Sequence, residues 1–168
     1  CALPIFDQAE GRRDLEDEGI FMQHVNHAEI RYGGTGNLLI DSVQQTVNPI
    51  QIINLRPNIT FNSIAFSADA AISAAPNSFE ETSFQSPIYQ VNGPFTADYS
   101  RVGPEVHRNV LVDNSINALF IRSSTTPISP ASPVTTTVRF DDTSIVHAIA
   151  ENISVAGNPG GSINYGLD

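Results

Sequence analysis

Apolar and polar residues alternate along this chain in short pulses, not in long runs. Val25, Ala28, Ile30 and Tyr32 fall at near-even spacing, and apolar runs follow over 38–47, 50–55 and 59–66. A second series covers 109–121, and a third resumes after Val138 with Ile145, Val146, Ile149, Ile153 and Val155. Even spacing over a few residues predicts strands whose alternate side chains enter a core. No stretch of helical length carries a clean 3.6-residue stripe, so helical crossovers are not expected. Residues 6–19 are polar, with Leu15 the only aliphatic side chain larger than alanine, and predict a loop or a short helical turn. Gly33-Gly34-Thr35-Gly36 predicts a turn, as does Gly157-Asn158-Pro159-Gly160-Gly161.

Within these pulses lies a degenerate repeat. Arg56-Pro57-Asn58-Ile59-Thr60-Phe61-Asn62-Ser63-Ile64 is answered by Gly103-Pro104-Glu105-Val106-His107-Arg108-Asn109-Val110-Leu111, with Asn152-Ile153 as a looser third echo. Proline lacks a ladder N–H and suits the first residue of a strand. Ile59 and Val106 are expected to point inward. Asn62 and Asn109 are expected at a sharp left-handed bend, where stacked asparagines could also hydrogen-bond along a ladder. The spacing of the copies reads as two units of about 20 to 25 residues in a stacked array. Phe61 matches Arg108, so the copies are not clean.

Short strands without helices, and without hairpin signals at each step, fit a chain that coils with one short strand per side. About five or six rungs at ~4.8 Å would give a column roughly 25 Å tall. The competing arrangement is an antiparallel β-sandwich. Two segments break the rhythm and are expected to be excursions. Residues 76–102 hold five of the thirteen aromatics, and 123–137 is a Ser/Thr/Pro stretch with Pro127, Pro130 and Pro133. The expectation is one domain over 6–168, all-β, a right-handed parallel β-helix (solenoid) with long excursion loops. Cys1-Ala2-Leu3-Pro4-Ile5 looks like a translated sequencing-library adapter. Residues 1–5 are therefore expected to be an artefact at the edge of a fragment, continued by the rest of a larger chain at both ends.

Composition narrows the function classes. The 168 residues carry a net charge of −10, only 15% are charged, and all eight basic residues are arginines. Such a chain repels phosphate backbones and anionic lipid, which disfavours nucleic acid and anionic membrane surfaces, and no apolar run approaches membrane-spanning length, so membrane insertion is not expected. One cysteine, Cys1, leaves no thiol framework for disulfides or cysteine metal sites. Asp14, Glu16, Asp17 and Glu18 are expected to form a solvated acidic segment.

The pieces Asp17-Glu18-Gly19-Ile20-Phe21, His24-Val25-Asn26-His27-Ala28-Glu29-Ile30-Arg31-Tyr32-Gly33-Gly34 and Val47-Asn48-Pro49-Ile50 resemble a known family. So do Ser100-Arg101-Val102-Gly103-Pro104, Asn114-Ser115-Ile116-Asn117 and Asp141-Asp142-Thr143-Ser144-Ile145-Val146-His147. The family is that of right-handed parallel β-helix segments in very large bacterial surface or extracellular proteins. The resemblance runs from about Gly11 to Gly161. It implies the fold and an extracellular or cell-surface location, and it brings no catalytic motif.

Candidate chemistry is sparse. Gly33-Gly34-Thr35-Gly36-Asn37-Leu38 looks like the calcium nonapeptide, but Leu38 stands where an aspartate ligand is needed. His24 and His27 at odd spacing on a strand would face opposite ways, so no metal site is expected. Asp141 and Asp142, with Asp98 and Asp113, are the alternative catalytic set, in the manner of paired carboxylates in a polysaccharide lyase or glycoside hydrolase. Asp141 and Asp142 could equally shape a turn. The aromatic excursion is the better binding candidate. Tyr89, Tyr99, Phe95 and Phe84 are the residues expected to meet a glycan or cell-surface polymer, by ring stacking and hydrogen bonds. No cofactor is expected. The expected function is that of a non-catalytic stalk or adhesive surface.

Overall fold

The computed structural model describes residues 5–6, 15–16, 21–40, 43–80, 103–123, 133–140, 142–149 and 152–156. Among them the regular secondary structure is almost wholly strand, apart from a 3-10 turn at Pro76–Phe79. A first sheet contains β1 (Ile5–Phe6), β6 (Ile50–Ile52), β9 (Ala70–Ala74), β12 (Ile116–Ile121) and β13 (His147–Ala148), hydrogen-bonded in that order. A second contains β2 (His24–Asn26), β7 (Asn58–Thr60) and β10 (Glu105–His107). A third contains β3 (Glu29–Arg31), β8 (Ser63–Ala65) and β11 (Val110–Val112). Every pairing in these three sheets is parallel. That excludes the antiparallel sandwich for this part of the chain. The exception is a hairpin, β4 (Thr35–Ile40) against β5 (Val43–Val47), inserted between β3 and β6.

The chain visits the sheets in a fixed order: second, third, first. β2, β3 and β6 make one pass, β7, β8 and β9 the next, and β10, β11 and β12 the third. Register is kept residue by residue. Val25, Ile59 and Val106 lie in one column, and Ile30, Ile64 and Leu111 in another. Ile50, Ile72 and Leu119 form a third. Ile59, Ile64, Ile50 and Ile72 are completely buried. Each such side chain contributes about 1.5–3 kcal/mol by leaving water.

Pro57 and Pro104 directly precede β7 and β10, as a residue without a ladder donor must, and Pro57 still accepts from the N–H of Glu105 at 3.0 Å. The 47-residue interval, however, is one strand-to-strand step and not two units, because β7 pairs directly with β10. The step before it is 34 residues, from β2 to β7. Taking the 13 residues of 35–47 out of that 34 leaves 21, close to the expected unit. Inserted segments, not extra rungs, set the interval.

The bends also depart from expectation. The left-handed residues are not Asn62 and Asn109 but their predecessors: Phe61 (φ 57°) and Arg108 (φ 54°), with His27 (φ 52°) in the preceding pass. A second column of left-handed residues, Tyr32, Phe66 and Asp113, follows the third sheet. Non-glycine residues in this region cost roughly 1–3 kcal/mol each and persist only where their surroundings hold them there. The asparagines supply that hold. Asn62 accepts from the N–H of Ala28 at 2.9 Å and donates to the carbonyl of Val25, and Asn109 donates to the carbonyl of Ile59. Asn114 repeats the device after the second bend, accepting from Ser67 N–H and donating to the Ile64 carbonyl, each at 2.9 Å. Asn152, the third echo, is exposed, and it is its carbonyl that accepts from Ser123.

Glu16 is buried rather than solvated. Its carboxylate accepts from the backbone N–H of Arg56 at 3.0 and 3.1 Å and from Arg56 Nε at 3.1 Å. Arg56 is itself fully buried, with its guanidinium 5.7 Å from the Phe21 ring centroid. An ion pair out of water persists only when its remaining hydrogen bonds are satisfied in this way.

Candidate binding face

The third sheet turns Ile30, Ile64 and Leu111 toward the core, so pleating turns its alternate residues outward. One outward column is Glu29, Ser63 and Val110, and the other is Arg31, Ala65 and Val112, of which Ala65 is buried between its neighbours. The two left-handed columns flank this surface. On one side, the His27 and Phe61 rings stack at 5.2 Å with 8° between planes, and the Arg108 guanidinium caps Phe61 at 5.4 Å. On the other, Tyr32 and Phe66 stack at 5.1 Å and 14°, with the Arg31 guanidinium 6.0 Å from Phe66. The match of Phe61 to Arg108, a flaw in the repeat as a sequence, is a stacked contact in space. Sequence reasoning missed this face because neither stack can be seen without knowing which residues share a column.

Much of the face is open. Tyr32 is 75% exposed and Val110 60% exposed, and Phe61, Phe66 and Val112 are also exposed. Arg31 pairs with Glu29, Nε to Oε1 at 2.6 Å. Arg108 and Asp113 are exposed, and among the described residues neither has an ionic partner.

The second sheet offers a more polar exterior. Asn58 Nδ2 donates to His24 Nδ1 at 2.9 Å, and His24 Nε2 lies 2.9 Å from the Phe21 carbonyl. Both ring nitrogens of His24 are thus engaged, in the tautomer that carries its proton on Nε2. His107 Nδ1 lies 2.8 Å from Glu105 Oε1. His27 sits at the bend, stacked on Phe61 and beside the Asn26 side chain. Among the described residues no group of three or more His, Cys, Asp or Glu is placed to hold a metal.

Of the residues singled out from sequence, Tyr89, Tyr99, Phe95, Phe84, Asp98 and Asp141 lie outside the described residues. Asp113 ends the Tyr32–Phe66 column at the bend after β11. Asp142 is half-buried, and its Oδ1 accepts from the N–H of Ser144 at 2.8 Å. That bond, two residues on, is the one that shapes an Asx-type turn.

No protein-family profile, curated protein sequence or solved structure matches this chain.

Proposed function

We propose that this chain is a non-catalytic segment of a larger exported protein, a right-handed parallel β-helix that serves as a stalk or adhesive surface. The observation that carries the reading is the fixed visiting order of three parallel sheets, each growing by one strand per pass. Parallel crossovers within one sheet are right-handed in nearly all proteins, which supports the hand. A stack of this kind is rigid along its length and places residues from successive passes at regular intervals on one surface. Its ligand is a glycan or cell-surface polymer, taken by the aromatic excursion over 76–102 through Tyr89, Tyr99, Phe95 and Phe84.

The alternative, a polysaccharide lyase or glycoside hydrolase using Asp98, Asp113, Asp141 and Asp142, is weakened by the turn-forming bond of Asp142. A glycan array with the chain and its Tyr89→Ala and Tyr99→Ala variants tests the adhesive role. Binding that both substitutions abolish supports it, and binding to no glycan, or undiminished binding by the variants, rejects it. Release of reducing ends or unsaturated uronates from any bound polysaccharide would establish the enzyme instead.

A further inference from the structure

We propose that the outer face of the third sheet is a self-recognition surface, on which a second copy of this chain packs about a two-fold axis parallel to the stack. The proposal goes beyond the stalk reading and does not depend on glycan binding.

Exposed apolar area is concentrated here. Tyr32, Phe61, Phe66, Val110 and Val112 are five of the ten large apolar side chains left exposed among the described residues. Four of the five lie on or beside just two of the passes, β8 and β11. A contiguous patch of aromatic and aliphatic side chains edged by arginine has the composition of a protein interface. The area alone does not choose the partner; the arrangement of charge does.

Rotation by 180° about an axis along the stack reverses strand direction but leaves each strand at its own level. β11 then faces the partner's β11, and the column before each strand faces the partner's column after it. Arg108 meets the partner's Asp113, and Asp113 meets the partner's Arg108. These are the two exposed charges on the face that have no ionic partner within the described residues. One pass away, Phe61 lies opposite the partner's Phe66. At the first pass, Glu29 lies opposite the partner's Arg31, which turns each intrachain pair into half of a four-charge alternation. Between the charges, Val110 lies opposite the partner's Val112. The first and third levels thus set charge against its opposite, and the second sets ring against ring.

The other face-to-face arrangement, with the axis along the strands, reverses the levels instead. It sets Val110 against Glu29, Val112 against Arg31, and Asp113 against Tyr32. Apolar groups would bury charges without partners, which opposes association. The face is therefore self-complementary in one orientation, as an isologous two-fold contact requires. Two copies would run side by side in the same direction.

Sedimentation equilibrium on the chain with Cys1→Ser is expected to find a dimer. Arg108→Asp is expected to weaken it by about 30-fold, the loss typical of a broken interfacial charge pair, and so is Asp113→Arg. The double variant Arg108→Asp/Asp113→Arg is expected to restore it, because the swapped charges meet again across the axis. Each position already holds a non-glycine residue at positive φ, Arg at 108 and Asp at 113, so the swap suits the backbone. A second readout is independent of charge. In the Cys1→Ser background, an oxidised mixture of Val110→Cys and Val112→Cys chains is expected to form mixed disulfide dimers in preference to either chain alone. A monomer at the highest soluble concentration overturns the proposal. So does a dimer indifferent to both charge variants, or a disulfide between Val110→Cys and Glu29→Cys in place of the Val110→Cys/Val112→Cys pair.

Discussion

Asn62 donates twice to one atom: its backbone N–H and its side-chain Nδ2 each lie 3.0 Å from Oδ1 of Asn109. Asn109 therefore ties the bend at Phe61 to the bend at Arg108 while its own Nδ2 donates to the carbonyl of Ile59 at 2.7 Å. The left-handed Phe61 and Arg108 sit immediately before these two asparagines, so the ladder holds each bend at the residue where the backbone is strained.

Removing that acceptor strands the backbone N–H of Asn62, a residue that is 1% exposed. Asn109→Ala is expected to lower stability by roughly 2–3 kcal/mol, the size of a buried group left unsatisfied plus lost side-chain bonds. Asn62→Ala should be at least as severe, since Asn62 also accepts from Ala28 and donates to Val25. Urea denaturation of both variants measures this, and a change within about 0.5 kcal/mol for either would remove the ladder from the list of what holds the bends.

The Glu16–Arg56 pair makes an asymmetric prediction. Glu16→Ala removes the carboxylate that accepts from the backbone N–H and Nε of a fully buried arginine and is expected to destabilise by about 3–5 kcal/mol. The double variant Glu16→Leu/Arg56→Leu removes both charges and should recover a large part of the loss. A thermal double-mutant cycle reads the coupling; strictly additive effects would mean that the two charges do not stabilise one another.

Gly34 is positioned by close approach as well as by its φ of 76°. A Cβ there would lie 2.8 Å from Ser67 Oγ and 2.9 Å from the carbonyl oxygen of Val47, the last residue of the β4–β5 hairpin. Gly34→Ala is expected to cost about 1–3 kcal/mol in a denaturant titration, more than the usual effect of a left-handed alanine alone, because the Val47 backbone carbonyl is in the way as well as the Ser67 hydroxyl.

Asp142 separates the scaffold reading from the enzyme reading. If it shapes the turn through Ser144 N–H, Asp142→Asn keeps an acceptor and should leave the melting temperature nearly unchanged, while Asp142→Ala should lose about 1 kcal/mol. A catalytic carboxylate behaves differently: Asp142→Asn would abolish turnover on a polysaccharide without moving stability.

What the sequence determined by itself is local. Strand starts at Pro57 and Pro104, inward Ile59 and Val106, and an asparagine ladder follow from ring chemistry, alternation and side-chain hydrogen bonding, and all three are present. All-β architecture with parallel pairing was legible for the same reason. The segment from His24 to Arg31 lacks the repeat's signature residues, because Gln23 and Ala28 stand where Pro57 and Asn62 stand one step later. Its likeness survives only in the inward Val25 and Ile30. Tertiary structure decided which residues share a column, since the insertion between passes, and not any local pattern, sets intervals of 34 and 47. That choice placed Arg108 on Phe61, Tyr32 on Phe66 and Glu16 on Arg56. Pairing between distant strands depends on summed chain length, a non-local quantity, whereas alternation is felt within a few residues.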